Sequence, residues 1–179
     1  MSAELKPFTF LQEIAERSLA NAAGLPAQED AVKIWSGVGF MLGGHRMVSP
    51  MMEVAELLTP PASITKLPGV KHWVRGVANL RGRLLPLVDL ESFFGNAPVK
   101  NIRRRIVSVE QADLYSGLVV SEVFGMQHFP ADSHVATAEQ VADNVAPFVK
   151  GAYEYQGVTW NVFSLSLLAR DSRFLDAAV

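Results

Sequence analysis

The chain has 179 residues, a length for one domain or two very small ones; 49% are apolar and 19% charged, a composition that can fill a packed core and argues against disorder as the default state. Sixteen Lys and Arg against 18 Asp and Glu leave a formal net charge of −2, so bulk charge drives neither nucleic-acid nor membrane-surface binding. There is no Cys, which excludes disulfides, thiolate zinc sites and thiol nucleophiles and fits a reducing compartment.

Residues 8 to 23 read as an amphipathic helix. Thr9 and Gln12 are spaced as a capping box, Phe8, Leu11, Ile14, Ala15, Leu19 and Ala22 fall on one face, and Gly24 then Pro26 stop it. Glu4, Lys6, Glu13, Glu16 and Arg17 break any secretory apolar region, and no apolar stretch reaches the roughly 20 residues of a membrane span, so a soluble cytoplasmic protein without membrane insertion is expected. Residues 1–30 are therefore set apart as a helical extension and linker, 31–170 as the main domain and 171–179 as a tail.

From Ala31 onward the pattern changes to short runs rich in Val, Ile, Leu, Phe and Trp, punctuated by Gly and Pro as in small β structures. Gly43-Gly44 marks a hairpin turn, Thr59-Pro60-Pro61 and Leu67-Pro68-Gly69 mark loops, and a short helix is expected near Ala138 to Ala142. The run from Trp73 to Leu90 recurs, displaced by 75 positions, from Phe148 to Leu165. Gly76 matches Gly151, Gly82 matches Gly157, and Trp73/Phe148 and Arg75/Lys150 keep their chemical type. Each copy reads as strand, tight turn with a Gly at positive φ, second strand, then Asp89 or Ser164 capping a helical turn. A fainter match displaced by 69 pairs Val38, Phe40, Glu53 and Val54 with Val107, Val109, Glu122 and Val123. Two strand-rich copies of this size imply two small barrels or curled sheets packed together, with a pseudo-symmetric groove between them.

Chemistry-bearing motifs are absent from this frame. His45, His72, His128 and His134 have no metal-ligand spacing, no Ser lies in G-x-S-x-G, and no phosphate-binding G-x-x-x-x-G-K-[ST] occurs. Gly37-Val38-Gly39 imitates a dinucleotide fingerprint, but a β-like run follows instead of a helix. Neither cofactor nor metal is expected. Between residues 60 and 105, nine cations stand against Asp89 and Glu91, a net of +7 that leaves −9 on the rest, so an electrically lopsided molecule is expected. Such a basic β segment supports an alternative reading as a single-stranded nucleic-acid-binding barrel, although Trp73, Phe93 and Phe94 sit where core positions are expected rather than stacking platforms.

Gly76-Val77-Ala78-Asn79-Leu80-Arg81-Gly82 followed by Leu85-Pro86-Leu87-Val88-Asp89-Leu90, with Val54-Ala55-Glu56-Leu57 upstream, resembles the signature of the CheW-like family of bacterial chemotaxis coupling proteins. The resemblance spans roughly residues 34 to 170. The leading helix and Leu67-Pro68-Gly69-Val70-Lys71 look most like the members serving type IV pilus twitching motility. It implies a mainly β fold of two pseudo-repeated five-stranded SH3-like barrels that exchange elements around a shared core. It also implies a non-catalytic adaptor between the signalling tip of a methyl-accepting chemoreceptor and the regulatory domain of a CheA-type histidine kinase. Carried over by motif, Val54, Glu56, Gly76, Asn79, Arg81 and Gly82 bind partners or shape the binding surface. Gly76 and Gly82 act through backbone conformation, and Val54 and Glu56 share one face of a strand. Arg81 has Gln156 as its repeat partner, so this charge belongs to one copy only.

Overall fold

The computed structural model describes residues 33–100, 103–111, 114–136 and 140–179. The expected helix at 8 to 23 lies outside the described residues, as does part of the one expected near Ala138. Gln140 to Ala142 are not helical, and the nearest helical turn is the 3-10 turn Ala146–Phe148, with Pro147 at its start.

Eleven strands are described. The first half contributes β1 (Ile34–Leu42), β2 (His45–Pro50), β3 (Glu56–Leu58), β4 (Val74–Leu80) and β5 (Arg83–Asp89). The second contributes β6 (Arg105–Gln111), β7 (Leu114–Val120), β8 (Val123–Pro130), β9 (His134–Val135), β10 (Val149–Tyr155) and β11 (Val158–Phe163). Three short helices follow strands or the chain end: α1 (Leu90–Phe93), α2 (Leu165–Leu168) and α3 (Ser172–Leu175). One sheet has the order β8-β1-β2-β11-β10-β9 and the other β3-β6-β7-β5-β4, so each is assembled from strands of both halves.

The sequence repeat reappears as a repeat of register. Val38 faces Ser49 in the β1–β2 hairpin, and Val107 faces Leu118 in β6–β7, each position displaced by 69. Val77 faces Pro86 in β4–β5 and Ala152 faces Asn161 in β10–β11, displaced by 75. The parallel pairs Leu87 with Gly117 and Val162 with Val48 combine the two displacements. The sheets differ in strand count only because β9 pairs with β10, whereas its counterpart is the single bridge between Thr65 and Val77. They differ in length at one edge. β8 pairs with β1 out to Pro130, but β3 stops at Leu58, since Pro60 and Pro61 have no N–H to continue a ladder.

Period-two alternation divides the side chains among three clusters. In β6 and β7, Val107, Val109, Leu118 and Val120 join a central core with Phe40, Met47, Val88, Phe94 and Phe163, to which both sheets contribute. Ile106 and Val119 point the other way, into a cluster with Ala78, Leu85, Leu87 and Val99. The first sheet has its own counterpart in Val48, Phe129, Tyr153, Trp160 and Val162. Each fully buried aliphatic or aromatic side chain contributes roughly 1.5–3 kcal/mol, which is how such short strands hold together. The segment 171–179 joins this core. Phe174 of α3 is buried, stacks over Trp73 at 6.0 Å and meets Phe93 edge-on at 5.4 Å, and Val70 bridges Ala178.

Candidate partner-binding site

The β4–β5 turn is formed by Arg81 (φ 53) and Gly82 (φ 83), two successive residues with positive φ as a two-residue hairpin of the right twist demands. Gln156 (φ 53) and Gly157 (φ 73) repeat it in the second half. A non-Gly residue in this conformation costs roughly 1 kcal/mol. Asn79 offsets part of that, because its Oδ1 accepts the Gly82 N–H at 2.9 Å and locks the turn. Nothing lies within 4 Å of a Cβ built on Gly82, so backbone conformation alone selects glycine there.

Locked in this way, the turn places Arg81 Nη2 2.7 Å from Glu56 Oε1. Glu56 is the first residue of β3, the strand at the far end of that sheet's order from β4. Arg81 is otherwise exposed, its side chain 80% accessible and that of Glu56 41%, so the pair presents charge to solvent while holding two strands together. In the second half Gln156 and Gly125 stand at the corresponding positions, and no ion pair is possible.

Beside Glu56, Leu57 is exposed and forms, with Leu58, Val123 and Gly125, the sides of a largely apolar groove of about 250 Å³ between β3 and β8, which Thr59 and Arg105 also line. Leu57 and Met126 are repeat equivalents and are both exposed large apolar residues. Leu84, paired with Asn79 across the hairpin, is also exposed, so apolar surface flanks the Arg81 turn on the strand side.

Gly76 stands apart from this cluster. Its φ is +127 at a bulge where register shifts between Val74 and Gly76, and a Cβ there would overlap the carbonyl oxygen of Thr65. It shapes the edge of the sheet, as Gly151 (φ +122) does beneath Val135. Val54 is not on a strand with Glu56. It follows the 3-10 turn Met51–Glu53, donates its N–H to Met51, and packs half-buried against the central core, because the strand begins only at Glu56. Of the six residues, the structure thus joins Glu56 to Arg81 and Asn79 to Gly82, and leaves Gly76 and Val54 outside the exposed cluster.

A model described as the CheW-like domain matches residues 36–173. The chain belongs to the CheW-like domain family. It is 48% identical over 181 residues to Protein PilI of Pseudomonas aeruginosa, covering the whole of both chains. It is 30% identical over 114 residues to Chemotaxis protein CheW of Helicobacter pylori, covering 63% of this chain and 68% of that one. Among solved structures, scaffolding protein TtCheW from Thermoanaerobacter tengcongensis is similar with a TM-score of 0.66 and 25% identity over 79% of this chain and 96% of that chain.

In this CheW-like chain most partners of the structural carboxylates escaped a reading of spacing alone. Asp89 is fully buried. It caps α1 through the Ser92 N–H, accepts the Val99 N–H at 2.9 Å, and lies 2.9 Å from Arg75 Nη2, which also donates to the Val99 carbonyl. Glu53 accepts the Ser166 N–H and hydroxyl at the start of α2. Glu91 accepts the Gly43 N–H and so fixes the first hairpin turn. The capping role of Asp89 was legible in the sequence; its partner Arg75 was signalled only by the shared cation of the repeat.

The basic segment is not an uncompensated patch. Lys71, Arg75, Arg81, Arg83 and Arg103, five of its nine cations, are paired with Asp176, Asp89, Glu56, Glu110 and Glu122. Four of those five carboxylates come from outside the segment, so folding mixes charges that the sequence separates. The hydrogen bond to Glu110 raises the Arg83 guanidinium above its ordinary range, and Arg83 also covers the Tyr115 ring at 4.0 Å. Trp73 and Phe94 are buried, not available for stacking on bases. Among the described residues no helix is long and apolar enough to cross a membrane.

Proposed function

We propose that the chain is a non-catalytic adaptor that couples a methyl-accepting chemoreceptor to a CheA-type histidine kinase, in a cytoplasmic chemosensory array that controls type IV pilus twitching motility. The observation that carries this reading is the Arg81–Glu56 pair. It is an exposed, turn-locked ion pair found in one half of a repeated frame, set beside an apolar groove and formed from the family signature. Full-length similarity to Protein PilI supports the twitching output. The ion pair between the two end strands of one sheet supports the reading that each sheet curls into an SH3-like barrel.

On this reading the receptor tip lies in the groove between β3 and β8, its apolar residues on Leu57 and Leu58, and Arg81 with Glu56 fixes its register. The kinase regulatory domain, a homologous fold, takes an apolar strand surface at a sheet end such as that carrying Leu84. Glu56, Asn79, Arg81 and Gly82 form or shape the contact, Gly76 holds the sheet edge, and Val54 backs it from the core. Calorimetric titration of the full chain with the kinase regulatory domain of the same organism tests the reading. Saturable binding with a negative heat-capacity change is expected for an apolar interface. No heat of binding at tens of micromolar protein, about −6 kcal/mol or weaker, would overturn the kinase half of the proposal.

A further inference from the structure

The repeat exposes a hole. In the sheet containing β1 and β8, Trp35 stacks on Tyr153 at 4.7 Å, Phe129 stacks on the same ring at 4.9 Å, and the two lie 6.1 Å from each other. The indole lies directly over Gly37, since a Cβ there would come within 2.8 Å of Trp35 Cη2. These rings plug the outer cluster of that sheet. The equivalent positions in the other sheet, by displacements of 69 and 75, are Arg104 for Trp35, Pro60 for Phe129 and Ala78 for Tyr153. All three rings are missing there. A cleft of about 240 Å³ remains, based on Ile106 and Val119 and walled by Pro60 and Ile64.

The rim of this cleft is cationic. Among the described residues, Lys66, Arg75 and Arg104 line it and no carboxylate does. Arg75 is committed to buried Asp89, but Lys66 and Arg104 have no carboxylate partner among the described residues. The volume is below the range of about 300–1,000 Å³ of pockets that hold drug-sized molecules and suits one side chain. We propose that the cleft receives a single aromatic side chain from an acidic segment of a protein partner. The ring occupies the place that Trp35 fills in the other sheet, and flanking carboxylates meet Lys66 and Arg104. The pseudo-symmetry supplies the shape of the occupant and the rim supplies its charge. The site is separate from the Arg81–Glu56 pair, so it stands or falls independently of how receptor and kinase bind.

The test is a nuclear magnetic resonance titration of the full chain that follows the methyl signals of Ile64, Ile106 and Val119. The probes are blocked heptapeptides Asp-Glu-Ser-Trp-Ser-Glu-Asp, the same with central Ala, and the same with Lys in place of every acid. Saturable shifts are expected with the first, and binding about tenfold weaker or absent with the others. Arg104→Trp should rebuild the plug, abolish the shifts and raise Tm. Lys66→Glu, at an exposed position, should weaken binding several-fold with Tm unchanged, which keeps the proposal open to test if Arg104→Trp does not fold. The proposal is overturned if the Trp peptide moves none of these signals at about 1 mM, if the Ala peptide moves them equally, or if they shift with protein concentration alone, which would assign the cleft to a second copy.

Discussion

The Arg81 guanidinium lies 2.7 Å from the Glu56 carboxylate and thereby joins the turn after β4 to β3, strands at opposite ends of one sheet's order. Twenty-five positions apart in sequence, the two residues meet only because the turn holds Arg81 at φ 53 and Asn79 holds the turn. A pair this exposed contributes little to stability, about 0–1 kcal/mol. The role proposed for it rests instead on its exposure and on its place next to the groove at Leu57.

Arg81→Ala and Glu56→Ala should each leave the fold intact, with unfolding free energy within about 1 kcal/mol of the parent, and should weaken receptor or kinase coupling. A double-mutant cycle on partner binding should show the two losses to be non-additive. Early melting of Arg81→Ala would make the residue structural instead.

Gly76→Ala should destabilise by about 2–3 kcal/mol or more, through positive φ and collision with the Thr65 carbonyl. Gly82→Ala, where only conformation is at stake, should cost less, about 1 kcal/mol. Urea unfolding of the two variants side by side checks the order.

Asp89→Ala should be among the most damaging single changes, costing about 3–5 kcal/mol. It uncaps α1, orphans the Val99 N–H and leaves Arg75 half-buried without its counter-charge. Circular dichroism melts of the variant should fall well below those of Arg81→Ala.

These variants also separate what the sequence displays from what it hides. The 75-residue displacement is visible in Trp73 and Phe148, and it correctly locates both hairpins, both positive-φ turns and both capped helical turns. Local chemistry fixes such features within a few residues. The meeting of Arg81 with Glu56 was not visible, because it depends on how the sheet brings its end strands together. Nor was the neutralisation of the basic segment, since Glu110 reaches it from β6, Glu122 from the connection between β7 and β8, and Asp176 from the segment after α3. The reading of Val54 and Glu56 as strand neighbours failed because Val54 closes the preceding 3-10 turn, its N–H on the Met51 carbonyl, and β3 begins only at Glu56.

Phe174→Ala should destabilise by about 3–5 kcal/mol, as it removes a buried ring from contact with Trp73 and Phe93. Thermal unfolding decides whether 171–179 is part of the core, as its packing requires, or an appendage whose loss leaves Tm unchanged.

Acid should loosen the same region. The hydrogen bond from Arg173 holds the Asp171 carboxyl below its ordinary value, so its folded pKa is lower than its unfolded one. The stabilisation from this cap of α3 is then complete above about pH 4 and is lost as pH falls below the unfolded value and through the folded one. Asp171→Asn should flatten that part of the stability profile below about pH 4.

Bridging is the central claim, and co-sedimentation tests it most directly. The isolated kinase is mixed with a membrane fraction or a trimer-forming fragment carrying the receptor signalling tip, with and without this protein. Kinase should pellet with receptor only when the full chain is present, and Arg81→Ala should reduce the amount recovered. Kinase that pellets equally well without the chain, or that never does so with it, would contradict the account.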